Sequence, residues 1–266
     1  HAGGAYKRVG LSYSSSHSKA SIWQDKILNF ETSYYISSSK LFTQYNIHEA
    51  YGYTGKVLEI GMPRNDIFFD SEKMEVQTEI LRKDFNVLDK VIILYAPTFR
   101  GDFAHAEVLT NRLPYEEIIN AVETKYKKKA VLFNRSHYAD LNKYDVNMLN
   151  VIDVTNYPDM QSLLLIADIL ITDYSSCIWD FALLGKPCFL YVPDYTQYIG
   201  ERGTYTPIQS WPGEIAYSVP ELVNLICNSS IEKSKKIAYE HLNRFGSYET
   251  GNACAALCKK IEEATR

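Results

Sequence analysis

The spacing of hydrophobic and polar residues becomes regular at about Lys90 and stays so to the end of the chain. Apolar runs typical of buried strands occupy residues 91–95, 130–133, 150–154, 168–172 and 188–192. Amphipathic stretches predict helices at residues 115–126, 221–228 and 251–264, and Pro158 suits the first turn of a helix reaching Ala167. Because short strands alternate with helices, the pattern predicts the α/β class, with a doubly wound parallel sheet.

The residues before about Phe69 do not join this alternation. Strands are predicted at residues 33–37 and 56–60 and a helix at 40–45, and a loop is expected at 61–66 because Pro63 opposes a helix there. Asp70 or Ser71 then caps a polar helix that runs to about Phe85. We therefore predict a boundary near residues 66–72. Residues 1–69 would end an N-terminal domain, and residues 70–266 would form a C-terminal domain of the Rossmann-like type.

The stretch from residue 167 to 193 contains a strand, a turn, an amphipathic helix and a second strand. Ser175 and Ser176 lie in the turn, and Gly185 suits the end of the helix. A loop that leaves a strand and opens a helix is where α/β sheets bind phosphates, because the first N–H groups of the helix are free. Plain N-capping explains the two serines equally well.

Several polar side chains follow the other predicted strands. Since these loops share one edge of a parallel sheet, we expect their side chains to face a common cleft. Arginines, hydroxyls and a histidine there predict an anion site, because guanidinium groups match phosphate oxygens. The residues are Thr98, Arg100, Arg135, His137, Asn156, Tyr157, Asp173, Ser175 and Ser176.

Asp180 lies four residues after Ser176, on the same helix face and one turn of roughly 5.4 Å further along. With a diphosphate beside Ser176, its carboxylate would be in reach of a ribose. The spacing fits a solvent-facing residue of an amphipathic helix equally well.

Composition excludes several functional classes. The formal net charge of −4 provides no basic excess for coating nucleic acid. The five cysteines form no C-x-x-C pair, which indicates a reducing compartment and no zinc site, and no apolar run is long enough for a membrane span. The chain also lacks the motifs of P-loop nucleotidases, classical dehydrogenases, α/β-hydrolases and zinc proteases.

Five motifs occur in an order known from one family. They are H-A-G-G-A-Y-K-R-V-G from His1, G-M-P-R-N-D from Gly61, L-Y-A-P-T-F-R from Leu94, N-R-S-H from Asn134 and D-I-L-I-T-D-Y-S-S-C-I-W-D-F-A-L-L-G-K-P from Asp168. In these motifs the chain resembles the CDP-glycerol glycerophosphotransferase family, the teichoic acid polyol-phosphate primases and polymerases. The resemblance covers most of the chain and implies a two-domain GT-B fold.

The resemblance also implies roles for individual residues. His1 resembles the histidine proposed as the family's base, and Ser175 and Ser176 resemble the donors to the nucleotide phosphates. Arg135 and His137 resemble the family's pair beside the diphosphate, although Tyr138 stands where a proline is usual. His1 and His137 are therefore the catalytic candidates.

The implied reaction transfers glycerol phosphate or ribitol phosphate from a CDP-polyol to a teichoic acid or capsule-type acceptor and releases CMP. We expect it to need no metal ion and no cofactor. The resemblance further implies a cytoplasmic enzyme at the inner face of the cell membrane. It also implies that nearly all of the N-terminal, acceptor-side domain is missing before His1. A GT-B glycosyltransferase that uses a nucleotide sugar, and a nucleotide-binding fragment without activity, are the alternatives.

Overall fold

In the computed structural model, which describes residues 3–13, 27, 29–98, 113–136 and 150–265, the apolar run after Lys90 forms a fully buried strand. The strands are β1 (Tyr34–Ile36), β2 (Lys56–Leu58), β3 (Val91–Ala96), β4 (Ala130–Asn134), β5 (Val151–Asp153), β6 (Ile169–Thr172), β7 (Cys188–Tyr191) and β8 (Glu214–Ala216). The α-helices described are α1 (Ser71–Asp84), α2 (Tyr115–Tyr126), α3 (Met160–Ile166), α4 (Cys177–Ala182), α5 (Tyr195–Glu201), α6 (Val219–Asn228), α7 (Ile231–Arg244) and α8 (Ala253–Thr265). A π-helix spans Phe42–Ala50, and short 3-10 helices span Gly10–Ser12, Pro63–Phe69 and Ile208–Ser210.

Strands β3 to β8 form one six-stranded parallel sheet in the order β5-β4-β3-β6-β7-β8. The chain runs outwards from β3 through β4 to β5, and then returns to place β6 on the other side of β3. The strand order therefore reverses between β3 and β6. The predicted doubly wound parallel sheet is confirmed.

Alternate side chains of β3 enter two hydrophobic layers, because successive residues of a strand point to opposite faces. Ile92 and Leu94 pack with residues of α1, α3 and α4, whereas Ile93 and Tyr95 pack with residues of α2 and α6. Both faces of the sheet are thus covered, as parallel sheets require.

The N-terminal part contains a second, two-stranded parallel sheet formed by β1 and β2. Its own small core consists of Phe42, Ile47, Tyr53 and Met62. This sheet precedes the predicted boundary at residue 69 and the six-stranded sheet follows it. The division into domains stays a prediction.

The segment between α7 and α8 returns to the N-terminal part of the chain. The N–H group of Tyr248 donates to the carbonyl of Ser38 at 2.7 Å, and that of Lys40 donates to Gly246 at 2.9 Å. Tyr6 is fully buried against Trp211, with ring centroids 4.7 Å apart. The first residues described are therefore packed against the last third of the chain.

Three local predictions need correction. Residues 61–66 were expected to form a loop, but Pro63–Phe69, here called the linker helix, is a 3-10 helix; Pro63 lies in its first turn, where a missing N–H costs nothing. Pro158 precedes α3 instead of entering it, because Asp159 is the cap and accepts the N–H groups of Gln161 and Ser162. The predicted helix at residues 40–45 extends further, through the π-helix to Ala50.

Helix α4 also differs from its prediction. It was expected to be amphipathic, yet all six of its residues are buried. Gly185 follows with a φ of +60°, the left-handed conformation expected where a helix ends.

Candidate functional site

The carboxyl ends of β3 and β6 lie side by side where the strand order reverses. Asp173 follows β6 and is 3% exposed. Its two carboxylate oxygens accept the backbone N–H of Thr98, which follows β3, at 2.8 and 3.0 Å. The N–H of Tyr174 donates to the same carboxylate at 2.5 Å. Because α/β sheets bind ligands in the crevice at such a reversal, this contact lies at the base of the candidate site.

Ser175 and Ser176 lie between β6 and α4 and are both half-buried. Ser176 occupies the N-cap position, but its hydroxyl makes no capping hydrogen bond. The hydroxyl of Ser175 instead accepts the N–H of Cys177 at 3.5 Å, a long contact. Plain N-capping therefore does not explain Ser176, and the prediction that the two serines bind phosphate stays open.

Cys177, the first residue of α4, is buried directly behind these serines. Burial raises the pKa of its thiol to about 11, although hydrogen bonds with Ser175 and Thr172 oppose the shift. At neutral pH the thiol therefore keeps its proton. Cys188 is buried as well, whereas Cys227, Cys254 and Cys258 are exposed, and all five are free thiols.

Arg135 follows β4 and its side chain turns towards the loop after β5. Its Nη1 donates to the carbonyls of Tyr157 at 2.7 Å and Val154 at 3.2 Å. Burial lowers the pKa of the guanidinium from its ordinary value, but an arginine keeps its charge in proteins. Its Nε and Nη2 have no hydrogen-bond partner among the described residues, so they remain as donors for an anion.

The two predicted residues after β5 differ in their surroundings. The ring of Tyr157 packs against Phe85 at a centroid distance of 5.5 Å, so this side chain belongs largely to the hydrophobic core. Asn156 is exposed. The backbone of Tyr157, through its bond to Arg135, is what ties this loop to the site.

Asp180 is only 2% exposed, which rules out the alternative that it is a solvent-facing residue of an amphipathic helix. Arg64 of the linker helix donates to both carboxylate oxygens, from Nε at 3.2 Å and from Nη2 at 3.3 Å. Asn65 adds a hydrogen bond at 2.9 Å and Gln161 of α3 adds one at 3.1 Å. Four donors thus converge on one carboxylate. The predicted ribose contact stays a prediction, and a ribose would have to compete with these bonds.

Glu249 extends this polar cluster towards the end of the chain. Its carboxylate accepts the backbone N–H of Met62 at 3.0 Å, the amide of Asn65 at 3.0 Å and the indole N–H of Trp179 at 3.1 Å. Burial raises the pKa of this carboxyl, although the three hydrogen bonds oppose the shift. Asn65, which is fully buried, donates to both Glu249 and Asp180 and so joins the linker helix to α4.

The glycine-rich loop at the start of the chain contacts the same helix. A Cβ on Gly3 would lie 2.5 Å from Cβ of Ser38 and 2.9 Å from the ring of Trp179. The hydroxyl of Ser38 also donates to the carbonyl of Gly3. Glycine is therefore needed for this close approach, which brings the loop next to α4.

Three predicted site residues, His1, Arg100 and His137, lie outside the described residues. Their predicted roles stay predictions. Among the described residues, no group of three or more His, Cys, Asp or Glu side chains could hold a metal ion. Within the same ranges, no helix is long and apolar enough to cross a membrane.

Sequence reasoning missed the polar cluster of Arg64, Asn65, Gln161 and Glu249 around Asp180. Arg64 and Asn65 belong to the G-M-P-R-N-D motif, which by itself assigns them no partner. A usable signal existed, because an Arg-Asn pair after a proline carries more polar donors than a plain turn needs. What the sequence lacks is any sign that their partner is Asp180, which lies 116 positions after Arg64.

Comparisons with known proteins agree with this architecture. The profile of the CDP-Glycerol:Poly(glycerophosphate) glycerophosphotransferase family matches residues 1–263. The teichoic acid ribitol-phosphate polymerase TarL of Staphylococcus aureus is 31% identical over 98% of this chain and 46% of its own length. The teichoic acid glycerol-phosphate primase of Bacillus subtilis is 34% identical over 78% of this chain and 51% of its own length.

Among solved structures, a histidine variant of the wall teichoic acid polymerase TagF soaked with CDPG superposes with a TM-score of 0.82. It is 27% identical and covers 99% of this chain and 68% of the TagF chain. The resemblance deduced from the motifs and the GT-B-type fold are confirmed. The chain spans about half the length of the curated relatives it matches.

Proposed function

Because the chain belongs to the CDP-glycerol:poly(glycerophosphate) glycerophosphotransferase family, we propose that it carries the nucleotide-binding half of a polyol-phosphate transferase. Its donor would be CDP-glycerol or CDP-ribitol, and its acceptor a teichoic acid or a related polyol-phosphate polymer. The observation that carries the proposal is the Asp173–Thr98 contact between β3 and β6, with Ser175, Ser176 and Arg135 on the same edge of the sheet.

In the proposed reaction a terminal hydroxyl of the acceptor attacks the β-phosphorus of the CDP-polyol. The new acceptor O–P bond forms as the bond from the β-phosphorus to the bridging oxygen breaks, and CMP leaves with that oxygen. The proton of the attacking hydroxyl passes to a base, for which His1 is our candidate. An imidazole is suited to this role because its ordinary pKa lies near neutrality.

The donors at the sheet edge would stabilise the charge that develops on the phosphoryl oxygens and on CMP. Arg135 supports this role because its Nη1 is fixed by two backbone carbonyls while other N–H groups remain to bind an anion. A donor held in place before the reaction stabilises developing charge without reorganising. We include Thr98, Arg100, His137, Asn156, Tyr157 and the two serines in the proposed site that binds the CDP-polyol.

On the acceptor side, we propose that residues 1–69 belong to an N-terminal, acceptor-side domain. The contact between Gly3 and Trp179 supports this arrangement, since it joins the segment that follows His1 to helix α4. We also retain the proposal that the protein acts at the cytoplasmic face of the cell membrane.

The proposal is tested by incubating the purified chain with CDP-glycerol, CDP-ribitol and a UDP-sugar, each with and without a polyol-phosphate acceptor. Binding is measured by calorimetry and CMP release by chromatography. We expect selective binding of a CDP-polyol and acceptor-dependent release of CMP. Selective binding of the UDP-sugar would instead support a glycosyltransferase. Binding of CDP-polyols without CMP release would limit this chain to nucleotide binding.

A further inference from the structure

We propose that Arg64 is an additional diphosphate-binding residue of the candidate site and that Asp180 is the positioning residue that holds it there. This inference rests on the proposed function, because it assumes that a cytidine diphosphate group lies beside Ser175 and Ser176. It differs from the ribose role predicted for Asp180, and it brings the linker helix into the donor site.

The carboxylate of Asp180 is saturated with hydrogen bonds. A carboxylate can accept about four hydrogen bonds. Arg64 supplies two, and Asn65 and Gln161 supply one each. The bonds to Arg64 have the paired geometry of a guanidinium and a carboxylate, which fixes the orientation of both groups. A buried carboxylate whose acceptor positions are all occupied is better suited to holding a cation in place than to binding a hydroxyl.

Helix geometry directs the Asp180 carboxylate towards the N-terminal end of α4. Asp180 lies four residues after Ser176, so the two share a face of α4. Side chains of a helix tilt towards its N-terminus, which directs the Asp180 carboxylate back over the turn that begins at Ser176. The Arg64 guanidinium bound to that carboxylate is therefore held on the serine side of the helix.

Arg64 has N–H groups that its bonds to Asp180 do not use. A guanidinium has five N–H groups, and Arg64 directs Nε and Nη2 at Asp180. Its Nη1 has no hydrogen-bond partner within the described ranges. The Arg64 side chain is 33% exposed, whereas that of Asp180 is 3% exposed, so the pair is buried on the carboxylate side and open on the cation side.

The charges around Arg64 indicate which way an anion would approach. Arg64 also lines a cleft near the start of α8, where the other charged groups are the acids Asp66, Asp70 and Glu72 and the cation Lys73. Lys73 is already paired with Asp70 at 2.8 Å. This acidic surface repels a phosphate, so the serine side of α4 is the favoured one.

The test compares ligands that share cytidine and differ in phosphate. We would titrate the wild-type chain and the variants R64Q, R64K, D180N and R64Q/D180N with CDP by calorimetry, and follow cytidine by NMR. We expect R64Q to weaken CDP binding about tenfold and to leave cytidine binding unchanged, because a lost charged hydrogen bond acts only on the phosphates. R64K, which keeps the charge without the planar fork, should lose about threefold. The double variant should bind CDP no more weakly than R64Q, since Asp180 acts through Arg64.

R82Q is the matched control. Arg82 also pairs with a carboxylate, donating to Asp168 at 2.7 and 2.8 Å, but Asp168 lies just before β6, at the opposite edge of the sheet. R82Q should keep wild-type affinity for CDP, and thermal unfolding shows whether each variant is folded at the titration temperature.

The outcomes separate the inference from the proposed function. A wild-type chain that binds no CDP would overturn both. Wild-type affinity in R64Q, when the wild-type chain binds CDP, would overturn the inference alone. The ribose role would replace it if D180N lost the preference for CDP over 2′-deoxy-CDP while R64Q bound CDP normally.

Discussion

The carboxylate of Asp173 holds the backbone N–H of Thr98 with both oxygens, at 2.8 and 3.0 Å, across the point where the strand order reverses. Thr98 is 9% exposed and Asp173 is 3% exposed, so water cannot readily replace either partner. The contact fixes the spacing between the loop after β3 and the loop that carries the two serines. Two candidate site segments thus depend on one buried side chain.

Replacing Asp173 by alanine should lower the free energy of unfolding by about 1–3 kcal/mol, because it leaves a buried N–H without its acceptor. It should also weaken CDP binding, since both loops lose their common anchor. Denaturant unfolding and calorimetry measure the two effects. Asp153→Ala is the control: Asp153 ends β5 and bonds the N–H of Thr155, but it is exposed, so water replaces it. Equal losses in both variants would contradict the anchoring role.

Ser176→Ala should weaken CDP binding while leaving the free energy of unfolding within about 0.5 kcal/mol of wild type, because its hydroxyl caps no N–H group. Combining it with Ser175→Ala should weaken binding further. Ser218→Ala provides the opposite control. Ser218 caps α6 and accepts the N–H of Glu221, so its loss should cost about 1 kcal/mol without changing CDP affinity. Unchanged affinity in the double variant would move the anion site elsewhere.

His241 should make the protein less stable in acid. Burial lowers its pKa to about 4, while its hydrogen bond to the Ser210 carbonyl opposes the shift. Since that carbonyl only accepts, Nδ1 carries the proton and Nε2 accepts the hydroxyl of Tyr6 at 2.9 Å. The unfolded chain, with a pKa near 6.5, binds more protons between pH 6.5 and 4. Stability should therefore fall over this range as the pH falls, by about 3 kcal/mol in total.

His241→Gln tests this assignment, because glutamine can keep both hydrogen bonds but does not titrate. Denaturant unfolding at a series of pH values should show a shallower decline for the variant between pH 6.5 and 4. An identical decline in both proteins would place the acid sensitivity in other groups.

Gly3→Ala should destabilise the protein by about 1–3 kcal/mol, because the added Cβ meets Ser38 and Trp179 at less than contact distance. Gly200→Ala is the matched control. Gly200 lies in α5 with nothing within 4 Å of an added Cβ, so alanine there should be neutral or stabilising by up to about 1 kcal/mol. Thermal unfolding compares them. Equal stability of the two variants would show that the N-terminal loop is not packed against α4.

The helices and strands were predictable wherever their buried residues are apolar and recur at the spacing of a helix or a strand. The bounds of α2 match the prediction, because apolar residues face the sheet at helical spacing and Lys127 closes the helix in a left-handed conformation. Helix α7 was missed because its buried residues are Ser234, Ala238 and His241, which give no apolar stripe. Strand β8 and helix α5 were also missed. With three and seven residues, they give too short a pattern.

The candidate site was predictable only in part. Parallel topology implies that residues after β3 and β6 meet, and the structure brings Thr98 and Asp173 into contact. No periodicity implies the partners of Asp180, which come from the linker helix and from α3. Such long-range polar pairs are determined by tertiary packing. They therefore cannot be predicted from the residues next to Asp180 in the sequence.

Because α4 is buried on every side, the accessibility of its cysteine shows whether this part of the chain has opened. Cys177 keeps its proton and is shielded, as is Cys188, while three other cysteines are exposed. A brief pulse of an alkylating reagent should therefore modify three thiols in the folded protein and five once this part of the chain opens, since thiolate character and access both control the reaction. The modified thiols would be counted by mass spectrometry with and without CDP. The difference would measure how strongly CDP protects α4, the helix that follows the loop with Ser175 and Ser176, against opening.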